Sequence, residues 1–136
     1  MKVTRLHEAI AYSPARHSAT VHSMYLQHRS TGSDAPYWVG CSYYLPGAEA
    51  EWDATPLPKV YVVLDGALTV ATDDGEETLG PLDSVSLAPN ERRQVRNEAN
   101  RVATMLVVMP YPPEPTTAQK AQTASENSEM TEGEGR

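Results

Sequence analysis

The sequence has no phenylalanine, a single cysteine and a shortage of basic residues. Lys and Arg together number 11 against 18 Asp and Glu, which gives a formal net charge of −7. This acidic balance argues against a nucleic acid or an anionic membrane surface as the main partner. One cysteine, Cys41, excludes an internal disulfide framework and is typical of proteins from a reducing compartment. We therefore expect a cytoplasmic protein that binds neither nucleic acid nor membrane.

Long apolar runs are also missing. No stretch approaches the roughly 20 apolar residues that a membrane-spanning helix requires. The opening residues, MKVTRLHEAIAY, have no apolar run after their basic residues, so we expect no signal peptide. A chain of 136 residues is long enough for one domain with its own core and too short for two.

The centre of the chain carries a clear strand pattern. Residues 59–70, KVYVVLDGALTV, alternate in period two around Asp65-Gly66, which predicts two antiparallel strands joined at a tight turn. Further strands are predicted at residues 37–45, 76–79, 84–87, 92–97 and 102–109. Short strands at such close spacing predict a small all-β domain that is closed or sandwiched.

Two motifs lie within these strands. The first motif has the spacing G-x5-D-x-T-x3-K-x6-G and runs from Gly47 through Asp53, Thr55 and Lys59 to Gly66. A second pattern runs from Leu82-Asp83 through Pro89-Asn90 to Arg93 and Asn97. Both resemble the two motifs of the cupin superfamily, whose first motif has the form G-x5-H-x-H-x3-E-x6-G. The resemblance implies an all-β fold, a cupin-type jelly-roll β-barrel in a single domain.

The residue pattern, together with the resemblance, divides the chain into three parts. Residues 1–35 form an N-terminal segment that supplies edge strands and a possible arm for a homodimer. Residues 36–111 form the barrel core. Residues 112–136 contain no aromatic residue and no Val, Leu or Ile, so we expect a disordered acidic tail.

The metal positions of the family are substituted here. Metal-binding cupins place two histidines, a glutamate and a third histidine where this sequence has Asp53, Thr55, Lys59 and Arg93. Lysine and arginine are normally cationic and repel a divalent ion, and one carboxylate with one hydroxyl makes a weak site. We therefore expect no metal and no other cofactor. The alternative is that His22 or His28 rebuilds a site from the first strands.

The resemblance implies that the substituted motif positions face the barrel interior. This predicts a pocket that contains positively charged side chains next to acidic ones. Its catalytic candidates are Lys59, Asp53 and Tyr61, and its ligand-binding candidates are Arg93, Thr55, Glu51, Trp52, Tyr44 and Met105. Arg93 would clamp a carboxylate or phosphate, Lys59 or Asp53 would move a proton, and Tyr61 would donate a hydrogen bond or act as a second acid.

Several functions suit such a pocket. The first is a metal-independent lyase, isomerase or decarboxylase acting on a small anionic organic metabolite, because a developing carbanion beside a carbonyl needs a nearby cation. The alternatives are a non-catalytic module that binds a small molecule and a metal-dependent cupin with unconventional ligands. A further alternative is that a Lys59–Asp53 or Arg93–Glu51 ion pair fills the interior without catalysing a reaction.

Overall fold

The computed structural model describes residues 1–113; the predicted tail lies outside the described residues from position 114 on. Two short 3-10 helices in this region span Leu6–Glu8 and Arg29–Thr31. The strands are β1 (Ile10–Tyr12), β2 (Val21–Gln27), β3 (Tyr37–Tyr44), β4 (Glu49–Asp53), β5 (Lys59–Asp65), β6 (Leu68–Thr72), β7 (Gly75–Leu79), β8 (Ser84–Leu87), β9 (Arg93–Arg96) and β10 (Ala103–Pro110). Within residues 1–113, no helix has the length and apolarity to cross a membrane.

The strands form two sheets that face each other. The larger sheet has six strands in the order β1-β2-β3-β10-β5-β8, and the smaller has four in the order β4-β9-β6-β7. Every pair is antiparallel. This architecture confirms the predicted all-β jelly-roll fold. The N-terminal strands β1 and β2 continue the larger sheet through the pairing of β2 with β3.

The hairpin predicted at Asp65-Gly66 is wrong. Strand β5 pairs with β10 and β8 in the larger sheet, whereas β6 pairs with β7 and β9 in the smaller one. Gly66 has φ +73°, and a Cβ there would lie 2.8 Å from the main-chain oxygen of Val102. The turn therefore carries the chain from one sheet to the other past the start of β10. Strand alternation predicts which side chains face inward but does not identify the neighbouring strand.

The predicted inward parity of β5 is confirmed. Tyr61 and Val63 are 4% and 0% exposed, whereas Val60 and Leu64 are 38% and 40% exposed. The inward side chains change character along the strand, from the charged Lys59 through Tyr61 to the apolar Val63. Apolar residues thus fill one part of the space between the sheets, and polar side chains occupy another.

Candidate functional site

A cavity of about 220 Å³ lies at the end of the interior that Lys59 and Tyr61 face, between charged side chains and apolar and aromatic ones. This is smaller than the roughly 300–1,000 Å³ of pockets for drug-sized molecules, so it suits a small ligand. Its lining residues are Tyr12, Pro14, Ala15, His17, Trp38, Ser42, Tyr44, Asp53, Thr55, Lys59, Tyr61, Arg93, Met105, Val107 and Met109. All three predicted catalytic residues are in this set, together with the ligand-binding candidates Arg93, Thr55, Tyr44 and Met105.

Lys59 is a buried cation at the first position of β5. Its side chain lines the cavity although the residue is only 6% exposed. Among the described residues, no hydrogen bond or ion pair engages its Nζ atom. Burial lowers the pKa of Lys59, and the nearby guanidinium of Arg93 lowers that pKa further. The site therefore presents an amine that can interact with a ligand and release a proton more readily than an exposed lysine.

Arg93, on β9, is fixed by hydrogen bonds to the protein. Its Nε donates to the Tyr61 hydroxyl at 2.9 Å, and its Nη1 donates to the main-chain oxygen of Glu51 at 2.9 Å. The Tyr61 oxygen accepts this bond, so its own hydrogen remains available to the cavity. Burial raises the pKa of Tyr61 despite the opposing effect of Arg93, so the hydroxyl stays neutral. Tyr61 is thus a hydrogen-bond donor here.

Asp53 supplies the carboxylate of the cavity wall; no other Asp or Glu within residues 1–113 lines it. Its Oδ1 accepts a hydrogen bond from the Ala54 amide at 2.9 Å and lies 3.9 Å from Nε of Arg16. Its side chain is 29% exposed. The predicted Lys59–Asp53 ion pair is not present among the described residues, where the one ion pair of this carboxylate is with Arg16.

The predicted ligand roles of Glu51 and Trp52 require correction. The pairing of β4 with β9 shifts register between Ala50 and Asp53. The alternation is broken there, because Ala50 is fully buried while Asp53 also reaches the cavity. Glu51 is exposed and contributes only its main-chain oxygen to Arg93, not the predicted ion pair. Trp52 lies outside the cavity lining with the Arg92 guanidinium 4.7 Å above its ring.

His17 is a cavity residue that the sequence did not indicate. It lies outside both motifs, in a loop that precedes β2, and a β-bridge to Ala50 brings it to the cavity. Its Nδ1 lies 2.8 Å from the main-chain oxygen of Ala15. A carbonyl oxygen only accepts hydrogen bonds, so Nδ1 carries the hydrogen. Burial lowers the pKa of His17, and the nearby Arg93 adds to this effect.

The two histidines proposed from the sequence as possible ligands lie elsewhere. His22 is exposed on β2, and the ring of His28 stacks on Tyr25 with 3.8 Å between centroids. Tyr25 also stacks on Tyr12 at 4.1 Å, and both tyrosine rings meet Trp38 edge-on. Tyr12 and Trp38 line the cavity, so this aromatic cluster provides one rigid wall.

Comparison with known proteins identifies the family. Residues 42–109 match the cupin domain family. The chain is 46% identical over 113 residues to β-D-galactosidase Rv1717 of Mycobacterium tuberculosis, a match that covers 82% of this chain and 96% of that protein. The chain belongs to the cupin family.

Solved structures of other proteins share its fold. The polyketide cyclase RemF from Streptomyces resistomycificus superposes with a TM-score of 0.71 at 18% identity, over 83% of this chain and 82% of that one. A cupin-2 domain from Rhodospirillum rubrum gives a TM-score of 0.69 at 16% identity, over 92% and 88% of the two chains. These likenesses concern the fold alone.

The residues of this cupin do not fit the metal ion that many members of the family hold. Asp53, Thr55, Lys59 and Arg93 occupy the four positions, and both cations are buried. His17 adds one imidazole to this set. Within residues 1–113, no cluster of three or more His, Cys, Asp or Glu side chains is arranged to hold a metal ion. One carboxylate, one hydroxyl and one imidazole beside two cations are a poor donor set for a divalent ion.

Proposed function

We propose that this cupin is a metal-independent glycoside hydrolase acting on β-D-galactosides. The observation that carries the proposal is an unpartnered Lys59 amine and the Asp53 carboxylate in one small cavity. Its 46% identical relative is named a β-D-galactosidase, which supports the choice of substrate class. Cavity size supports recognition of a single sugar unit.

Glycoside hydrolysis needs an acid for the leaving oxygen and a negative charge near the anomeric carbon. Lys59 supplies the acid, because its lowered pKa makes its ammonium a better proton donor than an ordinary lysine. Asp53 stabilises the positive charge that develops on the sugar ring. Tyr61 donates a hydrogen bond to a sugar hydroxyl, and Trp38 offers an apolar surface to the ring.

The test is hydrolysis of p-nitrophenyl β-D-galactoside, with the α-D-galactoside and the β-D-glucoside as controls for configuration. Asp53→Asn keeps the shape of the side chain and removes its charge, so we expect kcat to fall by about 100-fold or more. Glu51→Gln is the matched control: this acid lies two positions away and is exposed, so its rate should stay within about twofold of wild type. Absence of β-galactoside hydrolysis, or full activity of Asp53→Asn, would contradict the proposal.

A second candidate is proton transfer on a small anionic metabolite, as in a lyase, isomerase or decarboxylase. It is favoured by the charge of the cavity, where two buried cations face one partly exposed carboxylate. Such an excess of positive charge attracts an anion. Calorimetric titration with small carboxylates and sugar acids tests this candidate: it predicts binding that Lys59→Met weakens at least about tenfold. Saturable binding without any product would instead indicate a non-catalytic binding module.

A further inference from the structure

His17 is held in place by the main chain on both sides. The main-chain amide of Glu51 donates to the main-chain oxygen of Arg16 at 2.8 Å. The main-chain amide of Ser18 donates to the main-chain oxygen of Glu49 at 2.9 Å. The residues around His17 therefore extend the smaller sheet along β4, although they lie far from it in sequence. The imidazole is consequently presented to the cavity from a rigid position rather than from a mobile loop.

The hydrogen bond of His17 also determines which nitrogen is free. Nδ1 donates to the Ala15 oxygen, and no other hydrogen bond of His17 is made with a described residue. Nε2 of the neutral ring therefore carries a lone pair. Burial lowers the pKa of the ring, and Arg93 and Lys59 oppose a further positive charge; together they outweigh the opposite effects of the Ala15 hydrogen bond and of Asp53 and favour the neutral form. Its free nitrogen is thus a hydrogen-bond acceptor on a residue that lines the cavity.

The roles assigned so far in the proposed hydrolysis do not include a general base for the attacking water. Direct displacement at the anomeric carbon uses one group as acid and a second group as base for the attacking water. Lys59 and Tyr61 are proton donors, and Asp53 is the one carboxylate that lines the cavity among residues 1–113. A neutral imidazole is the most common general base in enzymes.

We propose, on the basis of the glycoside hydrolysis above, that His17 is the general base that activates the attacking water. Nε2 accepts one proton from water while the water oxygen bonds to the anomeric carbon. The glycosidic carbon–oxygen bond breaks, and its electron pair and the Lys59 proton go to the leaving oxygen. The step leaves His17 protonated and Lys59 neutral, and proton exchange with solvent restores both. A single displacement of this kind inverts the configuration, so the first product is α-D-galactose.

The variant that tests this role is His17→Asn. An asparagine amide can keep the hydrogen bond to the Ala15 oxygen but has no equivalent of Nε2. We expect kcat on p-nitrophenyl β-D-galactoside to fall by about 100-fold or more, and azide, which needs no base, to restore turnover as galactosyl azide. His22→Asn is the matched control, because His22 lies outside the cavity lining; its rate should stay within about twofold of wild type.

Proton NMR of the wild-type reaction provides a second test that needs no variant. The α-anomer as first product supports His17 as the base, and the β-anomer overturns it. If the wild type is active, two results refute the role of His17: a His17→Asn variant that is equally active, or a loss of activity in this variant that azide does not restore. Either result leaves the proposed hydrolysis itself standing. A wild-type protein without galactoside hydrolysis refutes the proposed function and this role with it.

Discussion

Replacement of Lys59 by methionine is predicted to make the protein more stable and inactive. Folding buries most of the Lys59 side chain and leaves its ammonium only the contact that the cavity allows, and no described residue provides an ion pair or hydrogen bond in return. Methionine has a similar length and no charge, so it removes this penalty while it keeps the packing. Replacing even paired buried charges by apolar groups of similar volume is often neutral or stabilising by about 1–4 kcal/mol, and Lys59 has no partner to lose. Because one end of Lys59 reaches the cavity, we expect the lower half of this range.

The effect should depend on pH in a defined direction. The pKa of Lys59 is lowered from its ordinary value of 10.5 in the folded protein, so the unfolded chain binds the extra proton between the two pKa values. Wild-type stability therefore rises with pH across this window, whereas that of Lys59→Met does not. The stability gap between the two proteins is largest at neutral pH and shrinks as the pH approaches 10.5.

Urea denaturation at pH 7 and pH 10 measures this gap directly, provided that the m-values agree. Lys2→Met is the control, because Lys2 is exposed and its replacement should change the unfolding free energy by less than about 0.5 kcal/mol. A Lys59→Met protein that is less stable than wild type at pH 7 would refute the description of Lys59 as an unpaired buried cation. A gap of the same size at both pH values would refute it as well.

Three further predictions follow from the fold and the site. Arg93→Ala should lower the unfolding free energy by about 2–4 kcal/mol in urea denaturation, because it leaves the buried Tyr61 hydroxyl and the Glu51 main-chain oxygen without their donor; a loss below about 1 kcal/mol would contradict this. Gly66→Ala should lower it by more than about 1 kcal/mol, and by more than Gly47→Ala, which shares a positive φ but has open space around its Cα; equal losses would contradict the close approach at Gly66. The homodimer predicted from the sequence should give twice the chain mass in size-exclusion chromatography with light scattering, and a single chain mass would refute it.

The sequence predicted the inward position of the charged residues because they stand at motif positions that face the barrel interior in the family that the sequence resembles. Period-two alternation places Lys59 and Tyr61 on the same side of the sheet. The resemblance implies that this side is the inner one, and the motif spacing assigns Arg93 to the same interior. Both cations are buried in the structure, at 6% and 5% exposure. This part of the site could therefore be predicted without knowledge of how the strands are ordered.

The remaining features depend on contacts between distant parts of the chain. A register shift in β4 decides that Asp53 rather than Glu51 reaches the cavity, and strict alternation cannot anticipate it. His17 reaches the cavity only because its backbone pairs with Ala50, which lies more than thirty residues away. Likewise, the partner of β5 is set by sheet topology rather than by the turn that follows it.

The central claim is that this cupin hydrolyses a glycoside without a bound metal, with a lysine as the proton donor and a carboxylate that stabilises the developing positive charge. The most direct measurement is β-galactosidase activity of wild type and Lys59→Met after exhaustive dialysis against a chelator, with elemental analysis of both samples. The proposed mechanism predicts full wild-type activity without stoichiometric metal, and loss of activity in Lys59→Met. Activity that returns only when a divalent metal ion is added, or that survives in Lys59→Met, would contradict it.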